Sequence, residues 1–241
     1  CGAVILFSTP SKYRRQGFLI LNIVFIIYTT LAFIISHSFS ITDFFLVSDP
    51  SRYISSYINR TSFIYDIDRF LDYYLNFLDS NLLYNAYLNA IAVFANNNLG
   101  CFTIFDMTLC HTVWGVLSSL VLYKILSRCF DAKMSFRIAL VFSFCSLFLF
   151  YSTVIIRDII ICFLFMLAFD IVDQKFSLGG VIKLLLIAVL VWGIRLYSGL
   201  FSFVFIGYYF YVRMRNTIYR NFSTILFVII FWKKKPKGAL L

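Results

Sequence analysis

Apolar residues run through this chain in long blocks, not in the short alternations of a soluble fold. Residues 17–36 form one such block. Its length of about twenty residues is what an α-helix needs to cross a hydrocarbon core of about 30 Å. Further blocks at 101–123, 138–156, 159–173, 181–196 and 198–212 predict more spans, and 221–232 begins another. Between the first two blocks lies a polar stretch, 37–100, that carries Asp43, Asp49, Asp66, Asp68, Asp72 and Asp79. Its aromatic residues and its Asp-Pro and Asp-Ser breaks predict short helices lying on a membrane surface. Within it, residues 82–95 place Asn85 and Asn89 one turn apart on an otherwise apolar helix, amphipathic or re-entrant, which Asn96-Asn97-Asn98-Leu99-Gly100 should end. Residues 1–8 are apolar but too short to span, and Lys233-Lys234-Lys235 cuts the last block short. Both ends therefore read as truncated. The expected fold class is all-α: a polytopic transmembrane helix bundle with a partly helical extracytoplasmic loop, forming one membrane domain.

Composition agrees with lipid as the solvent. Hydrophobic residues make up 61% of the 241 and charged residues only 13%, against about 25% charged in a soluble domain. The net charge of +10 does not point to nucleic acid, because the cations fall in short clusters between apolar blocks, which is how membrane topology is written. Lys12, Arg14, Arg15, Lys124, Arg128, Lys133, Arg137, Lys175, Lys183, Arg213, Arg215 and Arg220 fall on one side of the predicted bundle. Arg52, Arg60, Arg69, Arg157 and Arg195 fall on the other. The positive-inside rule makes the first side cytoplasmic. The six cysteines show no metal-type spacing, and most lie in apolar blocks where Cys serves as a small hydrophobe. No metal site and no cofactor are expected, and no phosphate-binding glycine loop or nucleophile elbow is present.

An ionisable side chain at membrane depth is costly, so each is a candidate for function. Arg195 lies about 18 Å above Lys183, or about 27 Å above a helix start near Ser177, below the outer surface on either count. Arg157 lies about 30 Å from Arg137 if one helix joins them, with Asp158 beside it. Neighbours on a helix do not face each other, so Arg157 and Asp158 should serve different partners. Two outer arginines on separate hairpins can converge on an anionic headgroup, because a guanidinium donates two parallel hydrogen bonds to phosphate. The plainer reading is that both anchor at the interface. In Ser48-Asp49-Pro50-Ser51-Arg52-Tyr53, Asp49 is either the N-cap of a helix starting at Pro50 or a carboxylate that takes a proton from a sugar hydroxyl. Asp43 is a second candidate for that role, and Arg52 and Tyr53 are candidates for substrate contact. His111 and Asp106 are five residues apart, poor spacing for one helical face, so His111 should make a buried polar contact.

The order of these features resembles the bacterial oligosaccharide repeat-unit polymerases that build O-antigen, capsule and exopolysaccharide. The resemblance covers most of the chain. It rests on the leading helix, short basic loop and second helix; on the Asp-x-x-x-Tyr motif at Asp49 to Tyr53; and on the Asn-containing stretch from Leu82 to Asn98. It rests also on Ile156-Arg157-Asp158 and on Ile194-Arg195-Leu196-Tyr197-Ser198-Gly199. The chain departs from the pattern with His37 and Leu196, where many relatives have Arg and Pro, and lacks an Arg-x10-Gly pattern after either arginine.

The resemblance implies glycosyl transfer on the outer face of a bacterial plasma membrane, from a glycan on undecaprenyl pyrophosphate to a new lipid-linked repeat unit. Arg157 and Arg195 would hold the donor pyrophosphate, Asp49 or Asp158 would orient or deprotonate the acceptor, and Tyr53 and Tyr197 would pack on sugar faces. The implied partners are the lipid-linked oligosaccharide, membrane lipids, a flippase and a chain-length regulator. Three other readings stand beside it. A flippase or transporter for lipid-linked glycans would need more polar residues in mid-helix. A polyprenyl-phosphate-sugar-dependent membrane glycosyltransferase would share the acidic loop. In a noncatalytic scaffold, every arginine would be an anchor.

Overall fold

The computed structural model describes residues 2–38, 82–101, 103–174 and 177–213. Among them all regular structure is helical, without strands. In chain order the α-helices are α1 (Gly2–Ser8), α2 (Arg14–Ser38), α3 (Leu82–Leu99), α4 (Ile104–Cys129), α5 (Ala132–Ser143), α6 (Ser146–Thr153), α7 (Asp158–Val172), α8 (Leu178–Ile194) and α9 (Leu196–Arg213). Asp43, Asp49, Arg52 and Tyr53, the surface helices expected in that loop, and the helix expected at 221–232 lie outside the described residues.

Two helical stretches, Ser11–His37 and Ile104–Cys129, are long and apolar enough to cross a membrane. A third span exists if α5 and α6 count as one, although they meet at 64°. The remaining helices are shorter or less apolar, so two or three candidate spans of the expected series are found in the described part of the chain. The expected straight helix over 138–156 is the clearest departure. It breaks at Phe144–Cys145, so Arg137 and Arg157 do not share one axis.

The bundle is organised around α4. Ile20, Val24, Tyr28 and Ala32 recur every fourth residue on α2 and are fully buried. Phe18, Phe25, Ile26 and Phe33 on the other side are exposed. An apolar outer face with no polar covering is what a helix shows to lipid. Gly115 of α4 permits close packing here, since a Cβ at that position would meet Ser152 Cβ at 2.6 Å and Tyr28 Cε2 at 2.9 Å. The α5–α6 break frees backbone groups that lipid cannot satisfy. Tyr28 satisfies one of them by donating its hydroxyl to the Ser143 carbonyl (2.6 Å), while Ser143 Oγ donates to Ser119 Oγ (2.8 Å) or to the Ala139 carbonyl of its own helix (2.7 Å).

The basic ends meet. Tyr123 donates to the Tyr13 carbonyl (3.0 Å) and Tyr13 to the Phe130 carbonyl (3.4 Å), which ties Lys12, Arg14 and Arg15 to the end of α4. There Lys124 Nζ donates to Asp170 (2.9 Å), Arg128 pairs with Asp170 and with Asp173 (2.8 Å), and Gln174 donates to Asp170 (3.2 Å). Two carboxylates in and beside the last turn of α7 oppose the negative end of the helix dipole, and the two cations offset that cost. Asp170 keeps only 8% of its side-chain surface, whereas Asp173 keeps 48%.

Removing a buried partner strands a desolvated charge at a cost of about 3–5 kcal/mol, while an exposed pair contributes under about 1 kcal/mol. Asp170→Ala is therefore expected to lower the melting temperature of the detergent-purified protein sharply and Asp173→Ala hardly at all. Circular-dichroism melts of the two variants check this, and equal losses would contradict the burial argument.

Candidate functional site

Asp158 and Arg195 come together at the end of α7 remote from this basic cluster, and Arg157 precedes Asp158 there as the N-cap residue of α7. The chain leaves α6 through Val154 and Ile155, 2% and 0% exposed, and these residues with buried Ile159 fix the turn in the core. Arg157 closes the turn with helical backbone angles, and its carbonyl accepts the amides of Ile160 (3.1 Å) and Ile161 (3.3 Å). Asp158 opens α7, where the positive end of the helix favours a carboxylate. Its Oδ1 accepts Arg195 Nη1 at 2.6 Å.

Arg195 is the single extended residue between α8 and α9, with φ −158° and ψ 114°. Its amide donates to the Val191 carbonyl (2.8 Å) and its carbonyl accepts the Gly199 amide (3.0 Å), so its main chain closes both helices. The turn between α8 and α9 is thus one residue wide. Gly199 makes that possible: a Cβ there would lie 2.6 Å from Trp192 Cα and 3.0 Å from Trp192 N, both backbone atoms that cannot move aside. Tyr197 is 70% exposed at the same end.

The Asp158–Arg195 pair is open to its surroundings, with 38% and 39% of the two side chains exposed. Arg157 differs, because its Nη1 is buried and has no hydrogen-bond partner. The three side chains sum to one positive charge. Asp158 is committed to Arg195, which leaves Arg157 with unused donor capacity beside a helix N-terminus, an arrangement suited to an anion. Ser177 caps α8 by accepting the Gly180 amide (3.0 Å), so the longer of the two helical measures applies to Arg195. At 1.5 Å per residue, α7 is about 22 Å long and α8 about 26 Å, both short of a core of about 30 Å.

Other polar residues have plainer roles. Asp106 forms a capping box with Thr103 at the start of α4. His111 is fully buried, its Nδ1 2.8 Å from the Met107 carbonyl and its Nε2 2.9 Å from Tyr84 Oη. Only Nδ1 can donate to that carbonyl, so Nε2 accepts from Tyr84. This is the buried contact the spacing implied. Alongside it, Trp114 Nε1 donates to Tyr87 Oη (2.9 Å). Gly100, with φ +78°, follows the end of α3. Among the described residues no group of His, Cys or Asp could hold a metal ion.

The charge network on Asp170 was not anticipated as a contact. Its signal was nonetheless present: Lys124 and Arg128 are four apart, and Asp170, Asp173 and Gln174 are three and four apart, each set on one helical face. In comparisons with known proteins, the chain matches no family model, no curated protein and no solved structure.

A half-exposed ion pair contributes under about 1 kcal/mol, whereas forcing a methyl group against backbone costs about 1–3 kcal/mol. Asp158→Asn is therefore expected to leave thermal stability nearly unchanged, and Gly199→Ala to lower it measurably. Melting curves read both, and a large loss in Asp158→Asn would make the pair a structural clamp.

Proposed function

We propose that this chain is part of a multi-pass protein of a bacterial plasma membrane that polymerises lipid-linked oligosaccharide repeat units into surface polysaccharide. In this reading the substrates carry undecaprenyl pyrophosphate, and the glycosyl group is transferred on the outer face. The observation that carries the proposal is the unpartnered Nη1 of Arg157, next in sequence to the Asp158–Arg195 pair. These charges lie at the end of α7 away from the basic cluster, on helices too short to lift them clear of the hydrocarbon. Arg157 and Arg195 bind the donor pyrophosphate and stabilise the charge that develops on the leaving group. Asp158 positions Arg195, so the acceptor's base comes from elsewhere in the chain, with Asp49 and Asp43 the candidates from sequence. The polyprenyl chain stays in lipid, and a flippase and a chain-length regulator are the expected partners.

The bent pair α5–α6 favours a second reading, a flippase for lipid-linked glycans, because broken helices often mark the substrate path of a transporter. Against it, Tyr28, Ser119 and Ser143 already bond at the break, which leaves less polar capacity for cargo.

Arg157→Ala and Arg195→Ala in the full-length protein are expected to abolish or shorten surface polymer while the protein still reaches the membrane, a loss of at least about a hundredfold if either acts as an oxyanion-type donor. Gel analysis of polymer length in cells carrying each variant tests this. Wild-type polymer in both would refute the proposal, and accumulation of repeat units on the cytoplasmic leaflet would select the flippase.

A further inference from the structure

Charge at the basic end of the bundle is of two kinds. Lys124 and Arg128 face Asp170 and Asp173 and are neutralised there. Lys12, Arg15, Lys133 and Arg137 are exposed, and among the described residues none of them pairs with a carboxylate. Exposed Arg14 donates to the carbonyls of Thr9 (3.2 Å) and Phe7 (3.0 Å) and has no acid partner either. The one carboxylate within 12–15 and 130–137, Asp131, is occupied as the N-cap of α5, where it accepts the Met134 amide (3.0 Å). Five cations against one carboxylate leave these two stretches with a net charge of +4. Packing brings them to one place. Tyr13 joins the start of α2 to Phe130, just before α5, and Tyr28 joins α2 to Ser143 at the end of α5. Both ties advance in chain order, so α2 and α5 run side by side in one direction. Their first turns, with Arg14 and Arg15 on α2 and Lys133 on α5, therefore lie at one level. Arg137 is one turn further in, by about 6 Å.

These cations do not serve their own helices. A positive side chain in a first turn opposes the positive end of the helix dipole, and neither α2 nor α5 has an acid in its first turn. An anion at this level relieves that opposition and the repulsion among the cations. Depth selects the anion. A candidate span begins at Ser11. Exposed Phe18, Phe130 and Met134 set lipid-facing apolar surface directly beside the cations. A phosphate at the edge of such a surface belongs to a lipid headgroup. We infer that the adjoining first turns of α2 and α5 form a binding face for anionic phospholipid, with Arg15 and Lys133 its principal phosphate ligands. A topology signal needs only the cations. The Tyr13 tie, which fixes the two basic stretches to each other, is what makes a site of them. The face lies at the end of the bundle away from Arg157 and does not rest on the proposed function.

The test uses the full-length protein in detergent and phosphatidylglycerol as probe, with bound lipid counted by native mass spectrometry. Phosphatidylglycerol is expected to bind at least about tenfold tighter than zwitterionic phosphatidylcholine, and the preference to shrink as salt screens it. Each cation beside an anionic headgroup layer contributes about a fivefold preference, so Arg15→Gln combined with Lys133→Gln is expected to weaken phosphatidylglycerol binding at least about tenfold. Lys133→Gln alone, with a loss of about fivefold, serves if the double variant does not fold. Lys183→Gln removes an exposed cation from α8 at the same end and is expected to leave binding unchanged. Because first-turn cations oppose the dipole, the double variant is expected to melt at or slightly above the wild-type temperature. A clearly lower melting temperature would make the pair structural and overturn the inference. Equal binding of the two lipids by the wild type, normal binding by the double variant, or an equal loss in Lys183→Gln would also overturn it. So would displacement of the lipid by millimolar inorganic phosphate or by a short single-stranded oligonucleotide, which would make the face a general polyanion surface. Arg157→Ala is expected to keep this lipid, so the site and the polymerase reading fail separately.

Discussion

Lipid offers no hydrogen bonds, and most of the described architecture follows from that constraint. Each polar group that enters the apolar interior must find its partner within the chain. Tyr28 meets the carbonyl that the α5–α6 bend would otherwise leave bare. Tyr84 occupies the second nitrogen of His111, and Trp114 finds Tyr87. Thr112 and Ser118 return their hydroxyls to carbonyls of their own helix. Against this thorough pairing the exceptions stand out. Among the described residues they are Thr29 Oγ1, both carboxamide atoms of Asn89, and Nη1 of Arg157. Only Arg157 is charged, and of its guanidinium the atom concerned is Nη1.

The helices on either side of the site were legible because their signal is one-dimensional. The apolar run that begins after Arg157-Asp158 and ends near Asp173 marks α7 almost to the residue, and the Ser177 cap and Arg195 bound α8 in the same way. The break at Phe144–Cys145 was not legible, because neither Pro nor Gly marks it. It depends on Tyr28 and Ser119 from other helices, which no local pattern encodes. Likewise the Asn85–Asn89 spacing marked a polar stripe on α3 without revealing that Asn89 is enclosed.

For the candidate site, residue types and spacing distinguished Arg157, Asp158 and Arg195 from the other charges. They also separated the roles of Arg157 and Asp158, since adjacent positions on a helix diverge. What spacing could not supply was the cross-helix pairing. Asp158 sits as close to Arg195 as a hydrogen bond allows, and that contact exists only because α7 packs beside the α8–α9 hairpin. The pairing holds Arg195 in place and leaves Nη1 of Arg157 without a partner.

The Lys124–Arg128–Asp170–Asp173 network has a consequence for biogenesis. During synthesis α4 emerges well before α7, so for a time its two cations have no carboxylates to meet. In that interval they can act as orientation charges that bias the side of a membrane on which the end of α4 stays. Once α7 arrives, Asp170 and Asp173 neutralise them, and charges free to steer the first helix become the latch that holds the later one. A tally of cations on the finished sequence gives these two the same weight as free surface lysines, although their steering role would end when the chain closes.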